Sequence, residues 1–438
     1  MRAKVLYVML ALLTGCSKDA VTPSNGDQAP ELVTAQTGVR ILGKLQREPQ
    51  TNDEGFLEAV RILQVANGKV YAQADVSSPV TGITHQVTLQ CSISTGVISD
   101  YQPVNIKQGT VSNYYFLEGE ADNEYESLDI TGNYLYRNGA AWSALERYLY
   151  PYTDQGGYHV LSAHNFNPTV KLMTVLNPFS EMAVYDFASR GIFHYAPKVA
   201  PIIGITYRSD LVADEQYSLA NPGHHRIIMA TWATRGDFYG NISSPLKAND
   251  QMLIMTEATD VTTETVDYNT MVGARRMVLK DSIQTQQWNG LPVDYTNRPL
   301  IRLTQDEQFV WVLMFNTYQT TSVFKYDKQT SQLHAVVDQS KSLYGVPFDD
   351  ELQMIKLAGL NALAVYSPGG VISRMDLDAG TIKTIKPTLK QVSGYNGIMS
   401  TPTWYNGKFY VLVGLSADLK GNGVFTYYYN VLEIDPKS

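Results

Sequence analysis

From about residue 38 to its end the chain alternates short apolar runs with polar breaks, and the runs carry the two-residue period of strands far more often than the period of helices. AVRILQV, KVYAQADV, HQVTLQCSI, YLYRN, YHVLSA, KLMTVL, RIIMATWA, QMLIMTE, FVWVLMF, TSVFKYD, LNALAVYS, KFYVLVGL and FTYYYNVLEI are each bounded by Gly, Asn, Asp or Ser and read as strands. Two stretches are predicted to be helical instead, Trp142 to Arg147 and DDELQMIKL around Asp350.

One phrase occurs near both ends: NGKVYAQADV begins at Asn67 and NGKFYVLVGL at Asn406. The same arrangement, a polar turn opening into an apolar strand, occurs at TGNYLYRN, DEQFVWVL and GLNALAVY. A second type of segment tends to follow: CSISTGVISD, YDFASRGIFHY, YDKQTSQLHAVV and MDLDAGTIKTI. The last three openings, near positions 309, 361 and 407, are 52 and 46 residues apart. That period suits a four-stranded blade with loop insertions. A single blade leaves both faces bare, whereas blades stacked around an axis cover one another and leave no long open edge. The prediction is an all-β protein, a β-propeller of seven four-stranded blades over residues 38–438, with six or eight blades, a pair of sandwiches or another large β-fold as alternatives. The Asn-Gly phrases become matching turns in its first and last blades. FTYYYNVLEIDPKS stops where other units continue, so GVRILGK, from Gly38, is expected to supply the missing strand. Residues 197 to 300 fit the repeat worst and are read as carrying extended loops on one face.

The N-terminus has a different pattern. Arg2 and Lys4 precede a short apolar core, Val5 to Leu13, too short to span a bilayer and of the length found in secretory signals. It ends in Leu13-Thr14-Gly15-Cys16, which resembles the bacterial lipobox. The resemblance implies a signal peptide over residues 1–15, cleavage before Cys16, and acylation of Cys16 with chains such as palmitate. The polar run SKDAVTPSNGDQAPELVTAQT then reads, with Cys16, as a flexible tether over residues 16–37, with a root-mean-square reach of roughly 25 Å. Lys18-Asp19 resembles the short signals that send lipoproteins of the Bacteroidota to the cell surface. The expected location is the outer membrane, facing outward and held there by lipid alone.

The formal charge of −8 becomes −10 once Arg2 and Lys4 are removed, and no basic stripe is present, so no nucleic-acid partner is expected. With Cys16 acylated, only Cys91 remains, so no internal disulfide can form; in VTLQCSISTG it reads as a buried structural thiol. His224 and His225 are adjacent, and His159 and His164 are an odd number apart, so on strands neither pair forms a chelate. The acidic run EGEADNEYESLD lacks calcium-loop spacing. Gly38 to Lys44 copies a phosphate loop only superficially, because Leu45 stands where a hydroxyl is needed. No Gly-x-Ser-x-Gly elbow occurs. No metal or cofactor is expected, and serine hydrolysis of the α/β type has no sequence support; glycoside cleavage, which needs only two carboxylates at the proper separation, stays open.

The 29 tyrosines and five tryptophans carry the site signal. Many belong in cores, Tyr134 with Tyr136 and Phe309 with Trp311 each sharing a strand face. Others lie beside Arg, Asn or Gly in loop-like sequence: Tyr207 with Arg208, Trp232 through Arg235 to Tyr239, Trp288, Tyr295 with Arg298, and Tyr395. Aromatic faces with guanidinium forks suit sugars, planar organic ligands or anionic metal chelates. Lipobox, tether and blade pattern together resemble the Bacteroidota surface lipoproteins that present siderophores, cobalamin or glycans to an outer-membrane transporter. That resemblance implies non-enzymatic capture of a small molecule such as an iron chelate, or of a glycan, with a TonB-dependent-type transporter as partner. A propeller-based polysaccharide lyase or glycoside hydrolase, and a protein-interaction scaffold, are the competing expectations.

Overall fold

The structure, a computed structural model, describes residues 29–50, 54–78, 80–101, 126–129, 134–137, 140–144, 163–167, 170, 172–176, 182–186, 191–197, 209–234, 251–262, 275–284, 300–315, 321–337, 352–418, 421 and 423–438. Strand β1 (Val39–Arg47) precedes a first meander of β2 (Leu57–Ala66), β3 (Lys69–Ser77), β4 (Thr84–Ser92) and β5 (Ile98–Asp100). A three-stranded group follows, β6 (Glu126–Asp129), β7 (Tyr134–Arg137) and β8 (Ala140–Ala144). Next come β9 (Ala163–Asn167), β10 (Leu172–Leu176), β11 (Met182–Asp186) and β12 (Gly191–Pro197), then β13 (Ser209–Ala213), helix α1 (Glu215–Ala220), β14 (His224–Thr234), β15 (Gln251–Thr262) and β16 (Arg275–Gln284). These two meanders are joined edge to edge where β12 pairs in parallel with β16.

Two further meanders are β17 (Leu300–Gln305), β18 (Phe309–Phe315), β19 (Thr321–Asp327) and β20 (Leu333–Val337), then β21 (Gln353–Lys356), β22 (Ala362–Ser367), β23 (Val371–Asp376) and β24 (Thr381–Ile385). The last group has β25 (Ile398–Met399) and β26 (Thr403–Tyr405) on β27 (Lys408–Ala417), followed by β28 (Thr426–Ile434). Its outer strand is β1, antiparallel to β28 from Val39 opposite Ile434 to Arg47 opposite Tyr427. The expected strand exchange is therefore present: the start of the ring completes the sheet at its end, and the fold is a β-propeller.

Strict alternation explains why the middle strands read as nearly unbroken apolar runs. On β18, Val310, Val312 and Met314 pack toward the β13–β16 group, while Trp311, Leu313 and Phe315 pack toward β21–β24. On β27, Tyr410 and Leu412 face the first meander and Phe409, Val411, Val413 and Leu415 face β21–β24. These two sheets are covered on both sides, a condition ordinarily met only in layered or ring architectures. Close approach between the last and first sheets needs two glycines. A Cβ on Gly414 would stand 2.6 Å from the Leu57 side chain, and one on Gly43 would stand 2.1 Å from the Gly96 carbonyl.

Inner strands of neighbouring groups lie alongside each other in the same sense, with no ladder between them, so side chains satisfy their backbone groups. Asp210 accepts from the Leu303 amide (2.7 Å) and Gln305 donates to the Ala213 carbonyl (2.6 Å). The Lys356 amide donates to Thr304 (3.3 Å), and the Leu57 amide to Ser416 (3.0 Å). A buried N–H without a partner would cost about 1–3 kcal/mol, so these contacts fix neighbouring sheets in register.

Four expectations need correction. The stretch from Trp142 does not begin as a helix: Ala140–Ala144 is β8, and within DDELQMIKL Gln353–Lys356 is β21. Helix α1 lies in a segment not expected to hold one; the Asp214 side chain caps it by accepting from the Tyr217 amide. The tether is not free up to residue 37, because Leu32 and Val33 are buried and Asn430 holds the segment. Asn430 Oδ1 accepts from the Leu32 amide (2.8 Å), and its Nδ2 donates to the Pro30 carbonyl (3.2 Å). The Thr34 amide donates to the Thr388 carbonyl and the Lys390 amide to the Leu32 carbonyl, both at 2.8 Å. Residues 1–28, including Cys16, lie outside the described residues. Cys91 is buried as expected, and burial pushes its thiol up to about 12.

Candidate functional site

The meanders give the ring two unlike ends. Connections from first to second strand, and from third to fourth, are mostly tight. Asn67-Gly68 and Asn406-Gly407 have φ of 51°, 69°, 47° and 81°, the left-handed pair of a two-residue hairpin turn. This is the turn end. Connections from second to third strand, and from each group to the next, leave at the opposite end. They include residues 198–208, 235–250, 285–299, 338–352 and 386–397. This is the loop end.

Eight of the nine aromatic and arginine candidates belong to these connections. Tyr207 and Arg208 precede β13, Arg235 and Tyr239 follow β14, Trp288, Tyr295 and Arg298 precede β17, and Tyr395 precedes β25. Seven of the eight lie outside the described residues; the flanking strand ends are described and open on the loop end. Tyr395 is described and half-buried. A tight turn with Ser393 and Gly394 at φ 51° and 86° carries it, and its hydroxyl donates to the Asp418 carbonyl (3.4 Å). Trp232, the ninth, belongs to the core. It is 1% exposed on the same face of β14 as Ile228 and Ala230, packed toward β17–β20, and strand alternation rather than ligand chemistry accounts for it.

Two residues at the loop end escaped the sequence reading. Asp210, second in β13, is buried and accepts from the Leu211 (2.8 Å) and Leu303 (2.7 Å) amides. Burial raises its carboxyl to about 6, against the opposing pull of Arg302 and the two amides. Arg302, third in β17, donates to the Leu352 carbonyl and to the Ile301 carbonyl (2.8 Å). With both oxygens occupied by backbone amides, Asp210 is a strand staple rather than an acid–base group. A charged residue inside the apolar run DLVA was the available signal.

The turn end holds the densest charge cluster among the described residues, and it is closed. Arg226 reaches Glu257, Asp214 (3.5 Å) and the Lys328 carbonyl (2.6 Å). Lys328 Nζ reaches Asp214 (3.0 Å), Gln305 (2.9 Å) and the Asp306 carbonyl (2.7 Å), and Tyr326 donates its hydroxyl to Glu257. Both acids are almost fully buried: Asp214 is shared between Arg226 and Lys328 of two neighbouring sheets, and Glu257 between Arg226 and Lys280 of one sheet and the Tyr326 hydroxyl of the next. They tie the sheets together and present no open pair of carboxylates. His225 is also inside, its Nδ1 3.0 Å from the Ser218 hydroxyl.

No protein-family model and no curated protein matches the chain. Solved structures with propeller domains do, at low identity. The β-propeller domain of the Trilobed protease from Pyrococcus furiosus is 8% identical, with 86% of this chain and 93% of that one covered and a TM-score of 0.36. An α-L-arabinofuranosidase, Arb93A from Fusarium graminearum, is 11% identical over 89% of this chain and 96% of that one, with a TM-score of 0.30. PorZ, a bacterial surface component of the type IX secretion system of Porphyromonas gingivalis, is 13% identical over 88% of this chain, with a TM-score of 0.38. This chain spans 47% of PorZ and 51% of a similarly matched prolyl endopeptidase, about half of each. The fold of this chain rests on its own strand order, sheet packing and strand exchange.

Proposed function

We propose that this chain is a lipid-anchored capture protein of the bacterial outer membrane: a seven-bladed ring, acylated at Cys16 and facing outward. It takes a small nutrient, an iron chelate ahead of a glycan, at its loop end and presents it to an outer-membrane transporter of TonB-dependent type. What supports the reading is where these residues fall in the sequence: Tyr207, Arg208, Arg235, Tyr239, Trp288, Tyr295, Arg298 and Tyr395 all lie between strands rather than within them, in stretches whose described flanking strand ends lie at one end of the ring. Scattered core aromatics would be divided between both ends. Flat side chains beside guanidinium groups grip planar or anionic ligands without any chemical step. The well-buried carboxylates Asp210, Asp214 and Glu257 are each engaged by backbone amides or cations, which favours capture over hydrolysis.

The test is thermal unfolding of the Cys16→Ser chain against ferric chelates, corrinoids and oligosaccharides. A ligand at about 100 times its Kd stabilises by about 2.7 kcal/mol, a readily measured rise in Tm. One class is expected to raise Tm, with the rise lost in an Arg208→Ala/Arg298→Ala double variant. No shift with any class contradicts the proposal, and cleavage of an oligosaccharide replaces it with the lyase or hydrolase reading.

A further inference from the structure

The loop end carries a second feature, separate from the aromatic and arginine connections and independent of the capture reading. Eight large apolar side chains are exposed among the described residues, and four of them lie on the connections at the corner where the last sheet adjoins the first: Phe56, Val80, Ile83 and Val424, exposed by 55%, 76%, 60% and 44%. Three adjoining connections supply them, residues 48–56, 78–83 and 418–425. Phe56 stacks on Phe425 with ring centroids 4.6 Å apart, and the Tyr427 hydroxyl donates to the Gly55 carbonyl (2.8 Å), fixing the first connection to the last. The Ser77 amide donates to the Phe56 carbonyl (2.9 Å) and the Ser78 amide to the Ile83 carbonyl (2.9 Å), fixing it to the second. The described residues of the three connections are thus tied to one another by hydrogen bonds and a ring contact. The remaining four exposed apolar residues, Val97, Leu219, Leu279 and Leu360, lie elsewhere in the chain.

Charge says what would cover this surface. Exposed Glu48 flanks it on one side, accepting from the Thr426 hydroxyl (3.3 Å), and exposed Glu58 on the other, accepting from the Thr84 hydroxyl (3.4 Å). Half-buried Asp418 lies at the start of the third connection, its Oδ2 accepting from the Gly423 amide (2.8 Å). Nearby Arg47 is buried and consumed by Glu54 at 2.6 Å, so it does not offset these charges. In sequence, the three connections contain one lysine, Lys420. An apolar centre with an acidic rim repels an anionic bilayer and a second copy of the same acidic rim, and it attracts a polypeptide with apolar residues flanked by Lys or Arg. We infer that the corner formed by Phe56, Val80, Ile83 and Val424 is a docking surface for a basic, apolar segment of a protein partner.

The probe is a labelled ten-residue peptide alternating lysine with leucine or phenylalanine, compared with its glutamate counterpart by fluorescence anisotropy against the Cys16→Ser chain. The lysine peptide is expected to bind, more weakly in high salt. Phe56→Ser should weaken it by about tenfold, as loss of a central anchor does. Glu48→Lys/Glu58→Lys should weaken the lysine peptide and admit the glutamate peptide. These two glutamates are exposed, so the reversal keeps the test decisive if Phe56→Ser does not fold. No binding, equal binding of both peptides, binding unchanged by the charge reversal, preference for anionic vesicles, or a dimer that Phe56→Ser dissolves would each overturn the inference.

Discussion

Replacing Asn430 by alanine should release the N-terminal segment without opening the ring. Asn430 is fully buried and is the side-chain partner of the Leu32 amide and the Pro30 carbonyl. The buried Leu32 amide left unpaired costs about 1–3 kcal/mol, while the half-buried Pro30 carbonyl can turn to water, so the docked state loses about 1–3 kcal/mol. Docking buries Leu32 and Val33, worth about 1.5–3 kcal/mol each, so the loss is a substantial share of what holds the segment down. The segment should therefore detach rather than drag the sheets apart. Hydrogen exchange is the assay. Protection of the Thr34 and Lys390 amides, which pair with Thr388 and Leu32, should fall about tenfold, while amides along β1 and β28 keep theirs. Unchanged protection at Thr34 and Lys390, or equal loss along β1, would refute the reasoning.

Gly43→Val should destabilise by about 2–4 kcal/mol in urea unfolding, because its Cβ would meet the Gly96 carbonyl at 2.1 Å and neither backbone can yield. Arg226→Met should cost about 3 kcal/mol, the low end of the range for breaking a buried pair because Glu257 keeps Lys280 at 3.5 Å and the Tyr326 hydroxyl, and Glu257→Gln in the same chain should recover part of it in a double-mutant cycle. The Asp210 carboxyl, raised by burial from 3.8 to about 6, binds its proton more readily folded than unfolded. Its contribution therefore makes stability fall as pH rises from about 4 to 6, and Asp210→Asn should flatten that part of the stability–pH curve. Cys91, with its thiol pushed up to about 12, should resist alkylation at pH 8 until the chain is unfolded, as peptide mass mapping would show.

The architecture was legible because both faces of middle strands such as β3, β18, β22 and β27 are buried, which leaves apolar runs bounded by turn residues that no solvent-facing sheet would tolerate. GVRILGK could be recognised as the closing strand because FTYYYNVLEI lacked a successor, and β1 does lie on β28. What misled was local. The four residues Gln353–Lys356 are too few to separate a strand period from a helical one, and neighbouring sheets decide the matter. Residues 29–36 read as tether because only Leu32 and Val33 are strongly apolar, while the residue that holds them, Asn430, is about 400 positions away. The poor repeat across 197–300 reflects long strands, His224–Thr234, Gln251–Thr262 and Arg275–Gln284, as well as long connections. Trp232 was misassigned because its neighbours Arg235 and Tyr239 are loop-like, although its own strand had not yet ended.

Ring closure is tested most directly by joining its two ends covalently. Arg40 and Glu433 are registered partners on β1 and β28, and directly opposed antiparallel residues have Cα atoms about 4.5–5.5 Å apart, within disulfide reach. In the Cys16→Ser background, Arg40→Cys with Glu433→Cys should form an intramolecular disulfide in air and run faster on a non-reducing gel. Lys44→Cys with Glu433→Cys, offset by four residues along the ladder, should stay reduced. A reduced first pair, or crosslinks only between molecules, would contradict a ring whose first strand completes its last sheet.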